Sequence, residues 1–180
     1  MERTGLPQLL ESLLFVNNGP AEIRQLEQVL GIEREEMEQA IEALAEQCHS
    51  RGVRLQRYGD ALQLVTAPEA APYVEKLLGS QGNARLSTAA LETLAIVAYE
   101  QPVTRARIEA IRGVNCDRAL ATLQARNLIC EVGRLETVGR PVLFGTTFEF
   151  MEYFGLESMD QLPPISTDFE DRAAPPGSRP

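Results

Sequence analysis

The chain has 180 residues, 44% of them hydrophobic and 6% aromatic, with no tryptophan and a formal net charge of −9. That length suffices for two small domains with aliphatic cores, and no apolar run approaches the roughly 20 residues that span a bilayer. The Met-Glu-Arg start lacks the basic and apolar regions of a signal peptide, and Cys48, Cys116 and Cys130 show no metal-ligand spacing, so a cytoplasmic, reducing compartment is expected.

In chain order, Leu9, Leu10, Leu13, Leu14 and Phe15 open a first helix whose apolar surface is broader than one stripe. Pro20 ends it, a second helix of about eight residues runs to Gly31, and a longer third helix follows, which is the helix-turn-helix arrangement. Beyond Cys48, Val53 and Leu55 alternate with polar residues, Tyr58-Gly59-Asp60 turns the chain, and Leu62 and Leu64 resume the alternation, predicting a β-hairpin. Pro68 and Pro72 suit the start of a short helix to about Leu78, and Gly79 to Asn83 reads as an interdomain linker.

The same order then returns. Offset by 82 residues, the chain aligns with itself without a gap from Leu9/Leu91 to Leu44/Arg126, with Pro20/Pro102, Glu27/Glu109, Gly31/Gly113 and Ala43/Ala125 identical. In the helix from Thr88 to Tyr99, capped by Ser87, residues Leu91, Leu94, Ala95 and Ala98 are expected on the packing face. Thr104 is placed to cap the second helix of this copy and Asn115 the third. A second hairpin is predicted from strands near Leu128 to Gly133 and Pro141 to Phe144, and beyond Pro163-Pro164 the composition is that of a disordered tail. The fold class expected is therefore mainly α with small β-hairpins (α+β), as two tandem winged-helix domains over residues 1–80 and 84–158, with a tail over 159–180 that is largely disordered after 165.

Charge restricts what such domains can do. Residues 1–82 carry seven basic and 13 acidic side chains, a net of −6; residues 83–145 carry eight and six, a net of +2. The first unit's third helix holds Glu33, Glu35, Glu36, Glu38, Glu42 and Glu46 against Arg34 alone, a distribution that phosphates repel. In the second unit Arg105, Arg107, Arg112, Arg118, Arg126, Arg134 and Arg140 are interleaved with Glu109, Asp117, Glu131 and Glu136, which reads as salt-bridged surface, with weak DNA contact as a minor alternative.

Catalysis finds little support. His49 is the only histidine and sits at a helix end. Cys116 lies near a helix N-terminus, where a thiolate would be stabilised, but has no second histidine to serve as its base. Neither a phosphate-binding GxxxxGK[ST] loop nor a GxSxG turn is present. No catalytic, cofactor-binding or metal-binding residue is assigned.

The segments LLESLLFVNNGP, AAPYVEKLL, LSTAALETLAIVAYEQPVTRARIEAIRGVN and GRPVLFGTTFEFMEYFGLESMDQLPP carry a sharper signal. Their combination of Ala-Leu-Glu-x-Leu-Ala-Ile at 90–96, Ile-Arg-Gly-Val-Asn at 111–115 and Gly-Arg-Pro at 139–141 resembles the segregation and condensation protein B (ScpB) family over residues 9 to about 165. The resemblance implies a non-catalytic adaptor of the bacterial SMC–kleisin complex, a homodimer that binds the kleisin ScpA, and through it the SMC ATPase, in chromosome condensation and segregation during cell division. It further implies dimerisation through the N-terminal domain, for which Leu9, Leu10, Leu13, Leu14 and Phe15 are the candidates, and kleisin binding mainly through the C-terminal domain. There, Tyr99, Arg105, Arg112, Asn115, Arg134, Arg140 and Phe144 are the candidate kleisin contacts, while Leu91, Leu94, Ile96 and Ile111 are assigned to the core. A cytoplasmic, nucleoid-associated protein is expected, without a cofactor or membrane, and with direct DNA contact weak or absent. Two alternatives stay open, a tandem winged-helix DNA-binding transcription regulator and a free-standing dimerisation module without a kleisin.

Overall fold

Leu10 and Leu14, one helical turn apart, set the inner face of the first helix, α1 (Leu6–Val16), which packs on α3 (Arg34–Cys48). Between them lie a two-residue strand β1 (Ala21–Glu22) and α2 (Ile23–Leu30); after them come strands β2 (Val53–Tyr58) and β3 (Ala61–Thr66), a 3-10 turn at Pro68–Ala70 and α4 (Ala71–Leu78). The second set repeats the order: α5 (Thr88–Glu100), β4 (Val103–Thr104), α6 (Arg105–Arg112), α7 (Asp117–Ala125), β5 (Ile129–Arg134), β6 (Val142–Thr146) and α8 (Phe148–Phe154), then a 3-10 turn at Met159–Gln161. This computed structural model describes residues 5–17, 19–79 and 85–164; most of the expected linker and the tail after 165 lie outside them.

The winged-helix class is as expected, and each wing gains a strand. β1 adds to the hairpin in the order β1-β3-β2, pairing Ala21 with Leu62, and β4 does the same in the order β4-β6-β5, pairing Val103 with Phe144. Two residues give too short a run for alternation to reveal them. The second hairpin runs over Ile129–Arg134 and Val142–Thr146, with a bulge between Glu131 and Gly133. The helix α8 was not anticipated; Thr147 caps it by accepting from the Phe150 N–H at 3.2 Å, and it buries Phe150 and Met151.

The repeat holds at an offset of 82 for β1/β4 and α2/α6, whose bounds coincide, and shifts for the first helices. α1 buries Leu10 and Leu14, with Leu6 and Leu13 packed beside them, while α5 buries Ala90, Leu94, Val97 and Ala98. Those faces superpose at an offset of 84, because α1 is joined to β1 by residues 17–20 and α5 to β4 by residues 101–102 alone. The gapless pairing of Leu9 with Leu91 is therefore two residues out, and the expected packing face is right at two of its four positions. Leu94 and Ala98 are inside, whereas Leu91 is 42% exposed and Ala95 is exposed.

Gly31 and Gly113 end α2 and α6 in the left-handed region, at φ 67° and 71°, which explains their identity across the repeat. Each N–H donates to the carbonyl of the repeated glutamate, Glu27 or Glu109, at 2.8 Å. Ser87 and Thr104 cap as expected, accepting from Ala90 and Arg107. Asn115 acts one residue outside the predicted role: Cys116 stands at the N-cap position, and the Asn115 Oδ1 accepts from the Asp117 N–H at 3.0 Å.

Two apolar cores result. One joins Leu10, Ile23, Met37, Leu44 and Leu62; the other joins Leu94, Val97, Ile108, Leu123, Phe150 and Met151. The first wing touches the end of the second set. Gln56, 1% exposed, donates from Nε2 to the Leu156 carbonyl at 2.7 Å, the Arg57 N–H donates to the Glu157 carbonyl at 2.9 Å, and the Tyr58 ring meets Phe148 edge-on at 5.8 Å.

Candidate partner-binding surfaces

α3 is the helix that a winged-helix domain would place in a DNA groove, and Glu33, Glu35, Glu36, Glu42 and Glu46 are exposed along it. The cations near it are occupied. Arg57 grips Glu38 with both terminal nitrogens, at 2.6 and 3.0 Å, and Arg34 reaches Glu38 at 2.9 Å and Asp60 at 2.7 Å. The Arg57 guanidinium holds the Glu38 carboxyl below the usual carboxylate range, as Arg34 does for Asp60. Wing and helix are tied together by this network, and the surface left to a phosphate backbone is anionic.

The sequence-predicted kleisin residues fall into separate places. Arg105 and Asn115 come together at the α6–α7 turn: Arg105 pairs with Glu109 at 3.0 Å and with Asp117, and Asn115 donates to Asp117 at 3.1 Å. Arg112 lies flat between α5 and α6, its side chain 8% exposed, pairing with Glu92 at 3.1 Å. Arg134 donates to the Arg140 carbonyl at 3.3 Å on the wing, where Arg140 pairs with Glu136 at 3.0 Å. Tyr99 is partly exposed and donates its hydroxyl to the Pro163 carbonyl at 2.5 Å.

Two of these assignments need correction. Phe144 is buried in the second core, since its position opposite Val103 turns its ring inward. Arg112 has its charge spent on Glu92 and almost no surface to offer. The converse error concerns apolar residues assigned to the core: Ile111 is 44% and Leu91 42% exposed, and Val114, not assigned to the core, stands beyond them at 56%. The Arg112–Glu92 pair bridges α6 to α5, and the residue preceding each partner is one of these exposed apolar groups. The wing adds exposed Val132, Leu135 and Val138. Leu91 and Ile111 each lie three residues from a buried residue of their own helix, Leu94 and Ile108, so helical spacing alone does not mark them as exposed.

The first unit needs a similar correction. Leu10 and Leu14, both expected to serve dimerisation, are buried in their own core, and Leu13 packs against it. Leu9 is partly exposed, while Phe15 is 86% and Val16 78% exposed at the end of α1.

Burial pushes the Cys48 and Cys116 thiols up, and the Glu109 carboxylate adds to the rise at Cys116, which reverses the stabilised thiolate expected from its place before α7. His49 is exposed, its Nδ1 3.0 Å from the Ala45 carbonyl in the last turn of α3. Among the described residues no three His, Cys, Asp or Glu side chains are grouped to hold a metal ion, and no helix is long and apolar enough to cross a membrane. A cleft of about 350 Å³ between Arg54, Gln56, Pro68, Glu152 and Glu157 has its cation committed to the Cys48, Arg51 and Val53 carbonyls and to Glu69 and Glu157.

Comparison with known proteins places this architecture. A profile of the segregation and condensation complex subunit ScpB matches residues 8–165. Segregation and condensation protein B of Geobacillus kaustophilus is 48% identical over 160 residues, covering 87% of this chain and 74% of the relative. The protein of that name from Alkaliphilus oremlandii is 41% identical over 168 residues, covering 92% and 91%. Among solved structures, a dimer of an ScpB N-terminal domain complexed with ScpA peptide is 32% identical, covering 39% of this chain and 91% of its own, with a TM-score of 0.37. With a family profile spanning residues 8–165 and such identities over nearly the whole chain, this protein belongs to the segregation and condensation complex subunit ScpB family.

Proposed function

We propose that this chain is a non-catalytic adaptor, a homodimer that binds the kleisin ScpA, connects through it to the SMC ATPase, and supports chromosome condensation and segregation during cell division. It works in the cytoplasm at the nucleoid. Residues 1–80 form the dimerising domain and residues 84–158 the kleisin-binding domain, onto which residues 159–163 also pack, with the remainder to 180 as a tail.

The observation that carries the kleisin side is the outward face of α5 and α6. Leu91, Ile111 and Val114 are exposed apolar side chains at a place where the neighbouring arginines are neutralised by Glu92, Glu109 and Asp117. An apolar centre with a neutralised rim suits a protein segment better than a phosphate backbone. In this reading Arg105 and Asn115 at the α6–α7 turn, Tyr99 at the end of α5, and Arg134 and Arg140 on the wing supply the polar contacts, and an aromatic group with arginines is the composition of interface anchors. Direct DNA contact is weak or absent in this reading, because α3 presents carboxylates where a tandem winged-helix regulator would need cations.

Titration calorimetry of ScpA with the intact chain and with L91D/I111D or Y99A variants tests the assignment. Tyr99→Ala is expected to weaken binding about 5- to 30-fold, the hot-spot scale of ~1–2 kcal/mol, and the double variant more, with dimerisation unchanged. Unaltered ScpA affinity in all variants, together with loss of salt-sensitive DNA retention, would hand this surface to the nucleic-acid reading.

A further inference from the structure

Tyr58 ends β2 of the first wing, yet its ring packs against the second core, edge-on to Phe148 at 5.8 Å. Its hydroxyl donates to Gln101 Oε1 at 3.3 Å, the oxygen that also accepts from the Thr146 N–H at 2.7 Å. Gln101 follows α5 and Thr146 ends β6, so the tip of one unit's wing is seated at the sheet of the other. Beside it, residues 156 and 157 run along the edge of β2. They accept from the Gln56 side chain and the Arg57 N–H, and the Glu157 carboxylate lies 3.5 Å from Arg54 Nε and 3.8 Å from His49 Nε2. Gln63 of β3 donates from Nε2 to Glu152 Oε1 at 3.0 Å. The second wing has no such seat: its edge strand β5 is exposed from Cys130 to Arg134.

We propose that the first wing is an intramolecular latch. Pinned by Tyr58, it holds the two winged-helix units as one body in the free chain, and its release, with both units still folded, lets them turn independently. The groups that meet across the joint are largely polar, and a cleft of about 350 Å³ opens beside them between Gln56, Pro68, Glu152 and Glu157. Such groups exchange one another for water on parting, so this joint opens more readily than either aliphatic core. While the latch is closed, the wing tip that a winged-helix domain would offer to an outside partner is occupied by the chain itself. The latch lies within one chain and depends on neither the homodimer nor the kleisin reading.

Amide hydrogen exchange followed by NMR on the full chain reads the latch through single bonds. The Arg57 N–H donates across the joint, whereas the Gln56 N–H, by the alternation of an antiparallel ladder, points to β3 within the wing. Arg57 is expected to exchange roughly tenfold or more slower than a free amide and roughly tenfold or more faster than Gln56, because opening the joint takes less than unfolding the wing. Tyr58→Ala should speed Arg57 by about tenfold, the scale of one lost contact, and leave Gln56 unchanged, while Tyr58→Phe, which keeps the ring on Phe148, should have a smaller effect. In a Cys130→Ser background, Gln63→Cys with Glu152→Cys should be joined within one chain by a short bismaleimide, and Tyr58→Ala should lower the yield. Exchange of Arg57 at the rate of a free amide, without an intrachain cross-link, would show that the wing is not seated and overturn the proposal. Equal exchange of Arg57 and Gln56 would mean two fused units and no latch, and a cross-link of twice the chain mass would give the wing to another copy. If Tyr58→Ala unfolds the wing, seen as loss of Gln56 protection, the parent and Tyr58→Phe decide by the same measurements.

Discussion

Removing the Glu109 carboxylate should cost far more than removing its repeat partner Glu27, although the two residues are identical across the duplication. Each reaches seven residues ahead, over the glycine turn, to the start of the third helix of its unit. Glu109 accepts from the Cys116 N–H at 3.2 Å and from Arg105 at 3.0 Å, whereas Glu27 meets the Arg34 side chain at 3.4 Å. Cys116 is 1% exposed, so Glu109→Ala leaves a buried amide without a partner, a loss of about 1–3 kcal/mol. At ~2–4 °C per kcal/mol for a chain of this size, a loss near 2 kcal/mol lowers the melting midpoint by roughly 4–8 °C. Glu27→Ala strands no buried group and should move it by about 1–2 °C at most. Glu109→Gln keeps an acceptor and should recover much of the loss. Thermal melts followed by circular dichroism decide the matter, and equal shifts for the two alanine variants would refute the claim that the amide bond of Glu109 secures α7.

Leu14→Ala should destabilise the chain by about 2–5 kcal/mol, while Phe15→Ala should leave the unfolding free energy of the monomer nearly unchanged in urea titrations; the reverse order would mean that the inner face of α1 is misassigned. Because Arg57 depresses the Glu38 carboxyl, the stability it contributes is present above the unfolded carboxylate pKa and lost as pH falls through the lower folded value. Glu38→Gln should therefore melt below the parent at pH 7, with the difference closing as the pH is brought beneath the usual carboxylate range; a gap that persists in acid would assign the effect to packing. Deleting residues 166–180, whose composition is acidic and rich in proline, should shift the melting midpoint by less than about 4 °C, the equivalent of roughly 1 kcal/mol, and a larger fall would show that the tail packs.

Much of the fold was legible because its signals are local. Gly31 and Gly113, Pro20 and Pro102, the cap at Ser87 and the Tyr58-Gly59-Asp60 turn each act within a few residues. The two-residue strands β1 and β4 were hidden because their partners, β3 and β6, are some 40 residues away. Which apolar residue faces out was harder still. Leu91 and Ile111 satisfy helical spacing as well as core residues do, and only the tertiary phase of α5 and α6 turns them to the surface. The repeat itself misled at the first helix, where two extra residues before Pro20 displaced a register that identity at Leu9/Leu91 made look sound. Arg112 and Phe144 carried the family signature, and burial, which sequence spacing does not reveal, removed both from the candidate interface.

The adaptor account stands or falls on the kleisin. Size-exclusion chromatography with light scattering, applied to the full chain alone and mixed with ScpA at tens of micromolar, measures it directly. The account predicts a dimer that shifts to a larger species containing both proteins and persists as salt is raised. Separate elution of the two proteins, with the chain instead retaining duplex DNA in a manner that falls steeply with salt, would contradict it.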